Sequence, residues 1–121
     1  MTSASVIEND DTYHVSVTGH AGYNPGNDIV CAAISTLTAT LGDFFRRLDY
    51  KNDTSNVTCL IYTSGEFVLT VKKDYHADRE ARAAIDMFLI GMEALASNYP
   101  NNVRLEGNYD TLRSNRKSNR S

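Results

Sequence analysis

The stretch from residue 19 to 35, GHAGYNPGNDIVCAAIS, constrains this chain more than any other. A run of strand character ends at Gly19 and His20. The loop that follows holds Gly22, Asn24, Pro25, Gly26 and Asn27, residue types that resist regular structure. Asp28 then has the side chain of a helix N-cap, and an apolar run at helical spacing begins behind it. Whatever the rest of the chain forms must hold this strand exit beside this helix start. With Asp28 as the cap, Cys31 is the third helical residue, where unpaired N–H groups and the helix dipole favour negative charge. A thiol there, with an imidazole a short loop away, is the arrangement that nucleophilic sulfur chemistry requires.

The flanking sequence supplies a scaffold. Residues 4–8 and 12–18 are strand candidates around Asn9, Asp10 and Asp11, and they read as a hairpin. In the second of them Tyr13, Val15 and Val17 alternate with His14, Ser16 and Thr18, the period of a half-buried strand. A helix is predicted from residue 28 to about 49, with Ile34, Leu37, Leu41, Phe44, Phe45 and Leu48 as its buried face. Residues 51–56 form a polar connector. Residues 57–63 and 66–73 read as a second hairpin turning at Ser64 and Gly65. Strict alternation puts Val57, Cys59 and Ile61 on one face and Phe67, Leu69 and Val71 on one face of the partner, so Cys59 is expected to be a core thiol. A second helix over residues 77–97 places Ala81, Ala84, Ile85, Phe88, Met92 and Leu95 at helical spacing. Tyr99 and Pro100 break it, and residues 103–106 supply a last edge strand. The order ββαββαβ predicts an α+β fold, a mainly antiparallel sheet with two helices packed on one face. Leu60, Tyr62 and Val68 are expected on the opposite face, as an apolar patch that a second subunit would cover.

Composition narrows the class. A chain of 121 residues that is 41% hydrophobic suits one domain with a single core. It has no run of about 18 apolar residues, so no transmembrane helix and no membrane partner are expected. The opening MTSASVIEND has neither the basic nor the apolar region of a secretory signal. Two cysteines are too few for a disulfide scaffold and point to a reducing, cytoplasmic setting. The formal charge of −3 hides an asymmetry: Arg113, Arg116, Lys117 and Arg120 crowd the C-terminus, leaving the body with 8 basic against 15 acidic residues. So acidic a body argues against nucleic-acid binding except through the basic tail. The expected division is a domain over residues 1–107 and a mobile basic tail over 108–121. A zinc site built from His14, His20, Cys31, Cys59 and His76 does not fit the usual ligand spacings, so neither metal nor cofactor is expected.

Read from the residues alone, Cys31 is either a nucleophile or an ordinary packed thiol, and His20 either its general base or a surface histidine. As a pair they would pass a proton from the thiol to a leaving amine. Asp28 either caps the helix or also orients His20. Ser35 lies one helical turn below Cys31 and would bond within the site or to its own backbone. The backbone N–H groups of residues 30–32 are the candidates for an oxyanion hole.

Two separate blocks of sequence resemble the ribosomal-processing cysteine protease Prp family. They are Gly19, His20 and Ala21, and then the run GNDIVCAAIS over residues 26–35. The family pattern is Gly-His-Ala, a glycine-containing loop, and Gly-x-Asp-(Ile/Leu)-Val-Cys-Ala-(Ala/Gly)-x-Ser. The resemblance covers about residues 4–106. It implies a small α+β homodimer in which Cys31 is the nucleophile and His20 the base, with Asp28 and Ser35 supporting. The loop carrying Gly22, Pro25 and Gly26 would move aside for substrate. Family members remove a short N-terminal extension from ribosomal large-subunit protein number twenty-seven, so a ribosomal precursor is the implied partner. Here the loop is slightly shorter than is usual in the family and contains Pro25, and the tail is additional. Two other functions fit the same residues: a phage or prophage protease that trims capsid or scaffold proteins, and a non-catalytic ribosome-associated assembly or binding factor.

Overall fold

The computed structural model describes residues 1–24 and 26–109. Seven main elements follow the expected order: β1 (Thr2–Glu8), β2 (Thr12–Thr18), α1 (Ile29–Asn52), β3 (Val57–Thr63), β4 (Glu66–Lys72), α2 (Asp78–Asn98) and β5 (Val103–Gly107). A short 3-10 turn, Tyr75–Ala77, precedes α2. The strands form one sheet in the order β3-β4-β2-β1-β5. Every neighbour pair is antiparallel except β1 with β5, which run parallel. The fold is therefore α+β, with both helices on one face of the sheet.

Alternation builds the core. Ala4 and Val6 of β1, Tyr13, Val15 and Val17 of β2, and Phe67, Leu69 and Val71 of β4 are all buried. Above them lie Val30, Ile34, Leu41 and Phe45 of α1 and Ile85, Phe88, Leu89 and Met92 of α2. Each buried Val, Leu, Ile, Phe or Met among them contributes about 1.5–3 kcal/mol by leaving water. An 18-residue window of α1 has a mean hydropathy of 1.3, enough by length and composition to cross a bilayer. Its apolar stripe is instead applied to the sheet and α2, and α1 is the central helix of the core. It runs past the expected end because Asp49 works from within it. The Asp49 carboxylate accepts from Thr54 Oγ1, Asn56 N–H and Val57 N–H, and so launches β3. Asp53 closes the helix in the left-handed region at φ 53°.

Strand β3 departs from strict alternation. Val57 pairs with Val71, but Cys59 pairs with Thr70, so Thr58 is an extra residue in the ladder. From Cys59 onward the two faces are exchanged. Leu60 lies opposite buried Leu69 and Tyr62 opposite buried Phe67, and both therefore face the helices. Cys59 and Ile61 pair with Thr70 and Val68 on the outer face. The expectations of a core Cys59 and of an outer patch containing Leu60 and Tyr62 are both corrected by this bulge; Val68 alone of that trio points outward.

Asn108 and Tyr109, the first two residues of the expected tail, are packed against the body. Asn108 N–H donates to the Val6 carbonyl, and its Oδ1 accepts from Glu8 N–H. Tyr109 is fully buried, edge-on to Tyr13 with ring centroids 6.2 Å apart and with the Arg82 guanidinium 5.1 Å over its ring. Nearby, the Tyr13 hydroxyl donates to Asp78, and burial together with that carboxylate pushes Tyr13 up to about 12. Residues 110–121, the remainder of the expected tail, lie outside the described residues.

Candidate active site

The end of β2 and the start of α1 meet as their sequences require. Gly19 leaves β2 at φ +92°, and its N–H donates to the Gly65 carbonyl at 2.9 Å. This ties the β2 exit to the β3–β4 turn. A Cβ on Gly19 would stand 2.4 Å from the Met1 carbonyl oxygen, so only glycine lets the chain leave here. His20 follows, exposed, with its ring over Gly65: a Cβ on that residue would lie 2.8 Å from His20 Nε2.

Asp28 is the N-cap of α1. Its Oδ1 accepts from Val30 N–H and Cys31 N–H, and its Oδ2 accepts from Tyr23 N–H and Asn24 N–H. One carboxylate therefore holds the helix start and the loop together. The Cys31 N–H bond is the main cause holding the Asp28 carboxyl below its ordinary value of 3.8, with the loop N–H groups adding to it. A carboxylate whose folded value is depressed stabilises the fold above its unfolded value, and that stabilisation is lost as pH falls through the folded one. Asp28→Ala is thus expected to lower the melting temperature at neutral pH, with the gap from the wild type closing below about pH 4. A gap that is independent of pH in calorimetry would contradict this role.

Cys31 is half-buried at the third position of α1, and its Sγ accepts from Ala21 N–H at 3.4 Å. The other face of that loop residue is also held, since the Ala21 carbonyl accepts from Asn102 Nδ2 at 2.9 Å. Asn102 is itself fixed by the turn after α2, its N–H donating to the Tyr99 carbonyl, while the Tyr99 ring packs edge-on to Tyr23 at 5.2 Å. Neither Asn102 nor the Gly65–His20 contact is apparent from the sequence, and Tyr62 is expected there only on the outer face. Only the glycine and asparagine in two turns hinted at them, because the contacts join segments far apart in the chain.

His20 and Cys31 line one open cavity of about 340 Å³, with Ser35 on the next turn of α1 and Val17, Ile34 and Phe67 among its apolar walls. One expectation fails here. The N–H groups of Val30 and Cys31 go to Asp28 Oδ1, and that of Ala32 to the Asp28 carbonyl, so these three are already engaged and do not form an oxyanion hole. The amide aimed at the sulfur is that of Ala21. In the loop, Gly22 and Gly26 adopt φ of +69° and +87° and are exposed, whereas Pro25 lies outside the described residues.

A family model described as cysteine protease Prp matches residues 1–104. The chain belongs to the cysteine protease Prp family. Among solved structures, the ribosomal processing protease Prp of S. aureus with a covalently linked product peptide is 25% identical. That match covers 89% of this chain and 100% of the other, with a TM-score of 0.69. SMU.848 of Streptococcus mutans is 29% identical over 89% of this chain and 96% of its own, with a TM-score of 0.59. The S. aureus Prp with a substrate peptide, at 21% identity and a TM-score of 0.62, is alike in fold. No curated relative matches the chain.

The Gly65–His20 contact lets the role of the imidazole's position be tested. Gly65→Ala introduces a methyl group against the His20 ring at a left-handed φ of +78°. The strain costs about 1 kcal/mol, which leaves the domain folded, but the displaced imidazole is expected to lower kcat/KM by about 10²-fold. Equal turnover by wild type and variant would separate His20 placement from catalysis.

Proposed function

We propose that the protein is a cysteine endopeptidase working through a Cys31–His20 dyad that removes a short N-terminal extension from a ribosomal large-subunit protein, number twenty-seven. The observation that carries this reading is the shared cavity: the thiol at the start of α1 and the imidazole at the exit of β2 line the same open space in a chain of the Prp family. His20 takes the Cys31 proton as Sγ bonds to the scissile carbonyl carbon, and the carbonyl electrons move to oxygen. The Ala21 N–H follows that charge from sulfur to the oxyanion. Collapse breaks the C–N bond, and His20 returns the proton to the leaving amine. Water, deprotonated by His20, then hydrolyses the thioester. Asp28 and Ser35 support the site, and the loop with Gly22, Pro25 and Gly26 admits the peptide.

The test is a mass-spectrometric assay on peptides spanning the extended N-terminus of the ribosomal protein, beside peptides from phage capsid precursors. A single cut in the ribosomal peptide alone is the expected result; cutting of the capsid peptide alone replaces the substrate, and no cut in either favours a binding factor. A homodimer belongs to the same reading. After the β3 bulge, its apolar contact would rest on Ile7, Ile61 and Val68 of the outer face. Solution scattering from a species larger than the 13.4 kDa monomer is expected, and a monomer at micromolar concentration would remove the dimer.

A further inference from the structure

Beside the catalytic cavity lies a second groove of about 680 Å³ between α1 and β3. Its floor is apolar: a Cβ on Gly42 would stand 3.2 Å from Leu60 Cδ1 and 3.3 Å from Phe67 Cε1, so the missing side chain lets the edge strand close over the helix. Its outer end carries Asp43, Arg46 and Arg47. From Cys31 to Gly42 along α1 is roughly 16 Å, the length of about five extended residues.

Thr38, Tyr62 and Phe67 line both spaces. Thr38 and Phe67 are each 3% exposed and fixed in the floor, whereas Tyr62 is 51% exposed and stands between the two spaces. Its hydroxyl donates to the Ser35 carbonyl at 3.0 Å, which carries the side chain from β3 across to α1. That carbonyl also accepts from Thr38 Oγ1 at 3.1 Å. The Tyr62 ring is edge-on to Phe67 at 6.0 Å. A large, exposed ring tethered at its tip divides what would otherwise be one continuous cleft.

We infer that Tyr62 is a specificity-determining residue: it is the wall that closes the catalytic cavity on the groove side and sets the largest apolar side chain a peptide presents beside the scissile carbonyl. This rests on the protease reading. With the wall in place the cavity takes a side chain of single-ring size; without it, the side chain extends over Leu60 and Gly42. The Ser35 tether is what keeps the wall in position.

The test uses peptidyl chloromethyl ketones that differ only in the residue beside the ketone: alanine, leucine, phenylalanine or naphthylalanine. Each bonds its methylene carbon to Cys31 Sγ and expels chloride, so the reaction reads the cleft without turnover. Rates are normalised to each variant's own reaction with iodoacetamide. The wild type is expected to discriminate against naphthylalanine relative to phenylalanine by about 10-fold or more. Tyr62→Ala removes that gap, and Tyr62→Phe, which keeps the ring but loses the tether, narrows it by about 3-fold. Identical profiles in wild type and Tyr62→Ala overturn the assignment while leaving the protease reading intact. If no peptidyl reagent outpaces iodoacetamide on the wild type, the cleft is not a peptide site, and both readings fall.

Discussion

Cys31→Ala is expected to abolish peptide cleavage, lowering kcat/KM by about 10⁴-fold or more, with the melting temperature close to that of the wild type. In the proposed mechanism the size of the loss follows from losing the atom that bonds to the substrate: without Sγ no thioester forms, and only binding and orientation remain. The small effect on stability follows from the local structure. Cys31 is only half-buried, and the cap of α1 uses its backbone N–H, which alanine keeps. Alanine also favours the helix. The thiol's bonds to Ala21 N–H and to the Asp28 carboxylate are lost, but Ala21 is held independently through its carbonyl by Asn102, and Asp28 keeps its four backbone N–H donors. Turnover near the wild-type rate in this variant would remove Cys31 from the mechanism, whereas an unfolded variant would show the thiol to be structural.

His20→Ala is expected to cost about 10²–10⁴ in kcat, the range for deleting a general base. The ring is exposed and rests on the glycine of a turn, so its removal leaves the core untouched. In the proposed mechanism His20 serves both half-reactions, so its deletion slows acylation and deacylation together, and single-turnover experiments should show no accumulating thioester. Exogenous imidazole is expected to restore part of the rate, because the space left over Gly65 opens to solvent. A full rate without imidazole would mean that another group takes the proton.

Much of this was legible in the sequence, and the failures have identifiable causes. The element order, the cap at Asp28 and the third-residue position of Cys31 rest on local rules of capping and periodicity, and the structure keeps them. Strict alternation through Thr58 gives the wrong faces for β3, because a bulge is set by pairing with β4 rather than by the strand's own residues. The N–H groups of residues 30–32 are oxyanion candidates by position alone, but the Asp28 cap and the first helical bond engage all three. Tyr109 was lost in a polar stretch as a single aromatic residue with no periodic neighbour, yet it fills a position against Tyr13 and Arg82. Asn102 and Tyr62 act across 81 and 27 residues of sequence, distances at which a single chain gives no pairing signal.

The extra residue at Thr58 has a consequence for how such a cleft diversifies. An edge strand has a ladder on one side only, so a slip of one residue disturbs a single set of hydrogen bonds and leaves the interior strands alone. With the bulge present, Leu60 and Tyr62 line the groove; with Thr58 taken into the ladder opposite Thr70, Cys59 and Ile61 would take their places. Strand β3 thus carries two alternative faces in one stretch of chain, and whether Thr58 is bulged or paired selects which of them turns toward the groove.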